Sequence, residues 1–174
     1  MASSKHIAMV MDPIEHIQPY KDTSFAFLLE AQRRSWAVWY LTPQDIRVDA
    51  GQVLAEAAPL TVYDRAQTDT TSKYFDKAPS QTIDLATMDW IFIRQDPPFD
   101  QNYLYCTQML ELAEQQGARV VNRPQAIRDA NEKLFAYHFP QTLAPSLVSA
   151  KAAALRDFIA QHPSVILKPL DAMG

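Results

Sequence analysis

Two cationic side chains, Arg94 and Lys168, stand in contexts that suit the binding of an acid, and a third, Lys133, is weighed beside them. Arg94 closes the apolar run Trp90-Ile-Phe-Ile93 and precedes Gln95-Asp96-Pro97-Pro98. Neither proline can donate to a sheet ladder, and Pro97 biases Asp96 toward an extended shape, so a strand here must end at about Arg94. Ligands of open α/β sheets bind at the carboxyl ends of the strands, and a guanidinium is a planar fork matched to carboxylate or phosphate. A surface ion pair with Asp96 or Asp100 is the other use open to Arg94. Lys168 follows Val165-Ile-Leu167, which would set an ammonium at a strand end, where it meets a phosphate as a point charge. Lys133 lies in Asp129-Ala-Asn-Glu-Lys133. Its spacing favours a solvated helix face carrying an Asp129–Lys133 pair worth about a few tenths of a kcal/mol. Cys106 shares a helix face with Tyr103, Leu110 and Ala113, which makes it a core residue; no neighbour in sequence would activate it as a nucleophile.

Composition narrows the chemistry. The chain has only three glycines (Gly51, Gly117, Gly174), so neither G-x-G-x-x-G nor a Walker loop can be spelled, and any nucleotide must be held another way. A net charge of -4, with no Lys/Arg cluster, argues against nucleic acid. One cysteine excludes an internal disulfide, and four scattered histidines (His6, His16, His138, His162) show no zinc spacing, which points to the cytosol and to no metal site in this stretch. No run approaches the roughly 18 apolar residues of a membrane span. At 174 residues and 48% hydrophobic, the chain can bury the core of one domain and begin a second.

The elements that must position these residues follow from patterning. A strand over His6–Met11, a long loop through Tyr20-Lys21-Asp22, a helix capped by Asp22 or Thr23, and a strand over Trp36–Leu41 give a β-loop-α-β opening. Ile46–Leu54 alternates around Gly51 as a hairpin would, and Leu60–Tyr63 can extend it. Residues 65–82 are polar and read as loop. Trp90–Ile93 is continuously apolar, as in a strand buried on both faces. A helix over Gln101–Gln116 with Gly117 at C′, and a strand over Ala118–Val121, complete a first unit ending at Pro124. Beyond it come short helical stretches, a proline-flanked strand Ser146–Ser149, a helix Lys151–Gln161 and a buried strand Ser164–Leu167. The prediction is an α/β fold with a mainly parallel sheet.

Several segments match a known pattern in order: Val10-Met-Asp-Pro13, Lys21-Asp-Thr-Ser-Phe25, Leu29-Glu-Ala-Gln-Arg-Arg34, Arg94-Gln-Asp-Pro-Pro-Phe-Asp100, Val121-Asn-Arg-Pro124, Ile127-Arg-Asp-Ala-Asn-Glu-Lys133 and Ile166-Leu-Lys-Pro-Leu-Asp-Ala-Met-Gly174. In these the chain closely resembles the bacterial glutathione synthetases. The resemblance implies a Rossmann-like pre-ATP-grasp domain over residues 1–124, on the substrate side, and the start of an ATP-grasp domain over 125–174. It further implies a cytoplasmic homotetramer that joins γ-glutamylcysteine to glycine, using ATP and magnesium, through an acyl phosphate. Lys133 and Lys168 match lysines that hold ATP phosphates. Arg94 and Lys21 match positions near the peptide substrate, with Arg94 expected to pair a carboxylate. Ser24, Asp96 and Asn131 would brace these loops.

Two residues depart from the pattern: Gln95 stands where Lys is common, and Ala172 where a glycine run begins. An alanine forced to positive φ there would cost about 1 to 2 kcal/mol. Because the magnesium ligands would lie beyond Gly174, the chain reads as a truncated, inactive part of a longer enzyme. Another ATP-grasp carboxylate-amine ligase, or a shortened paralogue serving as a binding module, are the competing readings. The ligase reading predicts that Arg94, Lys133 and Lys168 face one common cavity.

Overall fold

The computed structural model describes residues 5–64 and 72–171. Eight strands, β1 (His6–Met11), β2 (Ala37–Leu41), β3 (Ile46–Asp49), β4 (Gln52–Val62), β5 (Phe75–Lys77), β6 (Gln81–Asp84), β7 (Trp90–Arg94) and β8 (Val120–Val121), form one sheet. Its order is β3-β4-β2-β1-β7-β8, with β5 and β6 also pairing with β4. The centre β2-β1-β7-β8 is parallel, and β4 with its partners adds an antiparallel wing. The fold is α/β, as the sequence predicts.

Helix α1 (Thr23–Arg33) joins β1 to β2, and α2 (Gln101–Gln115) joins β7 to β8. Each packs its own hydrophobic cluster. Phe25, Leu28 and Ala31 of α1 meet Ile7, Met9 and Met11, whereas Cys106, Leu110 and Ala113 of α2 meet Ala8, Val10, Ile91 and Ile93. Since alternate residues of a strand point to opposite faces, the two helices cover opposite faces of the sheet. The chain leaves β1 in one direction and β7 in the other, so their carboxyl ends form the topological switch point where such sheets bind ligands.

β1, not β7, is the continuously buried strand: Ile7 to Met11 are all buried. In β7 only Ile91 and Ile93 are buried, while Trp90, Phe92 and Arg94 are half-covered. The expected two-sided burial fails: Phe92 stacks on Phe27 of α1 at 5.9 Å and packs on the cluster beneath α1 without being fully covered, and the neighbouring strand β8 is only two residues long.

The hairpin forms as predicted, with Asp49 opposite Gln52 and positive φ at Ala50 (47°) and Gly51 (85°), the signature of a two-residue turn. Part of the expected 65–82 loop is strand: β5 and β6 pair with β4, and residues 65–71 lie outside the described residues. Among the residues of β5 and β6 only Ile83 is buried, so hydrophobic alternation carried no signal for them. On the other edge of β4, Gln32 of α1 substitutes for a strand: its Nε2 donates to the Val62 carbonyl at 2.8 Å, and its Oε1 accepts from the Val62 N–H at 2.9 Å.

Beyond β8 come α3 (Pro124–Asp129) and α4 (Ala152–Ala160), and the strands predicted before and after α4, at Ser146–Ser149 and Ser164–Leu167, are not found. Both segments lack ladder partners; Ile166 is 81% exposed and Leu167 66%. An apolar β-branched run becomes a strand only where a neighbour offers hydrogen bonds and a face to cover it. Past Pro124 no described residue is buried.

Candidate functional site

At the switch point, Arg94 leaves the end of β7 and turns toward the first turn of α1. Its Nε donates to Ser24 Oγ at 3.0 Å and an Nη to Thr23 Oγ1 at 2.6 Å, with the guanidinium 5.8 Å from the Phe27 ring. Among the described residues it makes no ion pair, so the alternative pairing with Asp96 or Asp100 is not formed. Asp100 instead caps α2 by accepting from the Tyr103 N–H at 2.9 Å, as Asp22 caps α1 through the Phe25 N–H at 2.8 Å. Lys21 is exposed, its Nζ 6.0 Å from the Tyr20 ring.

Asp12, at the end of β1, is the residue sequence reasoning passed over. Its Oδ2 accepts from the Asp96 N–H at 2.7 Å and so ties the β1 end to the β7 end. The signal was present in the sequence: Asp12-Pro13 repeats the logic of a polar residue and a proline closing a strand. Partial burial, then the negative charges of Asp12 and Asp22, push the Asp96 carboxyl up from its ordinary value, with Arg94 opposing. Gln95 Oε1 is buried without a partner among the described residues.

The loop between β1 and α1 is clamped from the sheet. Tyr74 Oη donates to the Ile14 carbonyl at 2.7 Å, Tyr40 Oη accepts from the Ile14 N–H at 3.3 Å, and Lys77 pairs with Glu15, drawing that carboxyl below its usual range. Cys106 is buried as predicted, and burial pushes its thiol up to about 11, far from a thiolate at neutral pH.

Lys133 and Lys168 line one hollow of about 580 Å³, with Tyr137, Phe158, His162 and Leu170 among its walls. Lys168 is not at a strand end, since residues 164–167 form no strand. Lys133 lies past the end of α3 rather than on a helix face shared with Asp129. Its side chain is 14% exposed and Nζ sits 3.0 Å from Glu132 Oε2. A smaller hollow of about 170 Å³, between Phe99, Tyr103, Arg128 and Asn131, shares Lys133 and Leu170 with the first. Arg94 lines neither, so the expected common cavity resolves into two places. They are linked by backbone: the Phe99 N–H, in the loop after Arg94, donates to the Asp171 carbonyl at 2.7 Å. Ala172 lies outside the described residues. Among the described residues no group of three or more His, Cys, Asp or Glu could hold a metal ion.

An α/β unit with polar loops gathered at the switch point of a parallel sheet, followed by a lysine-bearing extension, is the class this architecture defines. Residues 6–128 match the description "Prokaryotic glutathione synthetase, N-terminal domain", and residues 132–174 match "Prokaryotic glutathione synthetase, ATP-grasp domain". The chain belongs to the prokaryotic glutathione synthetase family. The glutathione synthetase of Pseudomonas putida is 45% identical over 171 residues, 98% of this chain and 52% of that protein. That of Pseudomonas syringae pv. tomato is 46% identical over the same shares, and that of Vibrio vulnificus 42% identical over 97% of this chain and 51% of its own length. The chain spans about half the length of the curated relatives it matches.

Proposed function

We propose that this chain provides the substrate side and the first phosphate-binding lysines of a cytoplasmic, homotetrameric enzyme that ligates γ-glutamylcysteine to glycine. The observation that carries the reading is the convergence of Lys133 and Lys168 on one hollow, within a chain whose two family matches run in order. A carboxylate is a poor electrophile, and bound ATP supplies the phosphoryl group that makes it an acyl phosphate, which the glycine amine then attacks. Charge builds on the phosphoryl oxygens during transfer, and two ammonium groups lining one hollow oppose it. Lys133 and Lys168 are the cations assigned to that task. Magnesium belongs to this reading through ATP, and among the described residues no group of three or more His, Cys, Asp or Glu could hold it.

At the switch point, Arg94 is assigned a carboxylate of the peptide and Lys21 its outer edge. The orphan Gln95 Oε1 offers an acceptor to a peptide N–H. Part of this reading is a division at about Pro124 into a substrate-side unit (1–124) and the start of the nucleotide unit (125–174). α3 adjoins that division and is bound to α2 by the Arg128–Glu111 pair at 2.6 Å.

The test is ATP- and glycine-dependent ligation by the 174-residue chain and by a chain extended to the length of its relatives. The expected outcome is no turnover by the first and turnover by the second, with Lys168→Ala in the extended chain lowering kcat/KM about 100-fold. Robust ligation by the shorter chain would refute the proposal.

A further inference from the structure

We propose that Asn131 is a positioning residue that sets the spacing of the two lysines in the larger hollow. The inference rests on the nucleotide-binding reading of that hollow.

Asn131 Oδ1 accepts from the backbone N–H groups of Lys133 and Leu134, each at 3.0 Å, and its carbonyl accepts from the Phe135 N–H at 2.8 Å. This is the geometry of a helix N-cap, with a short polar side chain satisfying the first free amides of the turn that carries Lys133. On its other edge the same amide donates, through Nδ2, to the Leu170 carbonyl at 3.0 Å. The orientation follows from chemistry, because two N–H groups require the oxygen and a carbonyl requires the nitrogen. Leu170 lies just beyond Lys168, across Pro169, whose ring fixes φ and leaves little slack between them.

One planar group therefore bonds the Lys133 turn on one side and the Lys168 segment on the other. The amide cannot turn to follow one of them without losing its bond to the other. Both segments need such a brace, since past Pro124 no described residue is buried and packing alone does not fix their separation. Two ammonium groups hold a triphosphate well only if both stand at the right distance before it arrives, and side chains acquire that precision from supporting hydrogen bonds. Lys133 and Leu170 line both hollows, so Asn131 stands in the wall between them and reaches the phosphate only through its neighbours.

The experiment compares Asn131→Ser and Asn131→Ala, with Lys133→Ala and Lys168→Ala as references, in the chain extended to the length of its relatives. Serine keeps an acceptor for the Lys133 turn but is too short to reach Leu170; alanine loses both bonds. The expected result is a KM for ATP raised about tenfold by Asn131→Ser and further by Asn131→Ala. The KM for γ-glutamylcysteine should stay within twofold, and Asn131→Ser should keep the parent Tm. Equal rises in both KM values, or a KM for ATP that follows Tm alone, would make Asn131 merely structural and overturn the inference. An unmoved KM for ATP in Asn131→Ser, with both lysine variants impaired, overturns the inference and leaves the nucleotide reading standing. Lysine variants with unchanged KM for ATP overturn both. Should Asn131→Ala fail to fold, Asn131→Ser still decides the question.

Discussion

Two apolar runs of this chain look alike in sequence and end differently. Trp90-Ile-Phe-Ile93 sits beside β1 and β8 and buries Ile91 completely, whereas Val165-Ile-Leu167 finds no partner strand and leaves Ile166 81% exposed. The difference shows that an apolar β-branched run records a demand for burial. Whether burial happens depends on what stands alongside, and here every described residue that is buried lies between Ile7 and Pro124, while the later segments contain none.

The sharpest way to break this contrast is to truncate the same side chain in each run. Ile91→Ala should cost about 2 to 5 kcal/mol in urea unfolding, because it opens a cavity in the cluster beneath α2. Ile166→Ala should change stability by less than about 0.5 kcal/mol, as surface substitutions do. Similar losses at both sites would mean the late segment packs as tightly as the sheet.

A smaller effect sharpens the comparison at helix starts. Asp100 caps α2 with its side chain, while Lys151 makes no side-chain cap at α4. Asp100→Ala should cost about 1 kcal/mol, measured by chemical denaturation, and Lys151→Ala close to nothing.

The smallest effect is electrostatic and concerns the loop that follows β7. Asp96 is more readily protonated in the folded chain than in the unfolded one, because of partial burial and then Asp12 and Asp22. Its contribution to stability is therefore present below the ordinary Asp value and is lost as pH rises through the raised folded value. Asp96→Asn should give a Tm slightly above the parent at pH 7 and equal to it at pH 3. A variant less stable at pH 7 would reverse the sign.

Much of the sheet was legible because β1, β2, the hairpin, β7 and α2 combine periodicity with punctuation by Asp, Gly and Pro. β5 and β6 were not, since their pairing is held by backbone bonds to β4 and Ile83 alone is buried in them. The lysine pair was legible through motif resemblance, yet the strand under Lys168 was not real, because flanking apolar residues announce a strand even when no ladder exists for it. Asp12-Pro13 marks a strand end in the sequence, but only the fold brings Asp12 to the amide of Asp96.

Gln32 has a mechanical consequence for the wing. Its primary amide fills both hydrogen-bonding valences of Val62 from a helix rather than from a strand, so the antiparallel extension is stitched to α1 at its far margin. Peeling β4 away there must strip two bonds at once. That seam should open as a single cooperative event together with the helix, and not by gradual fraying inward from the rim.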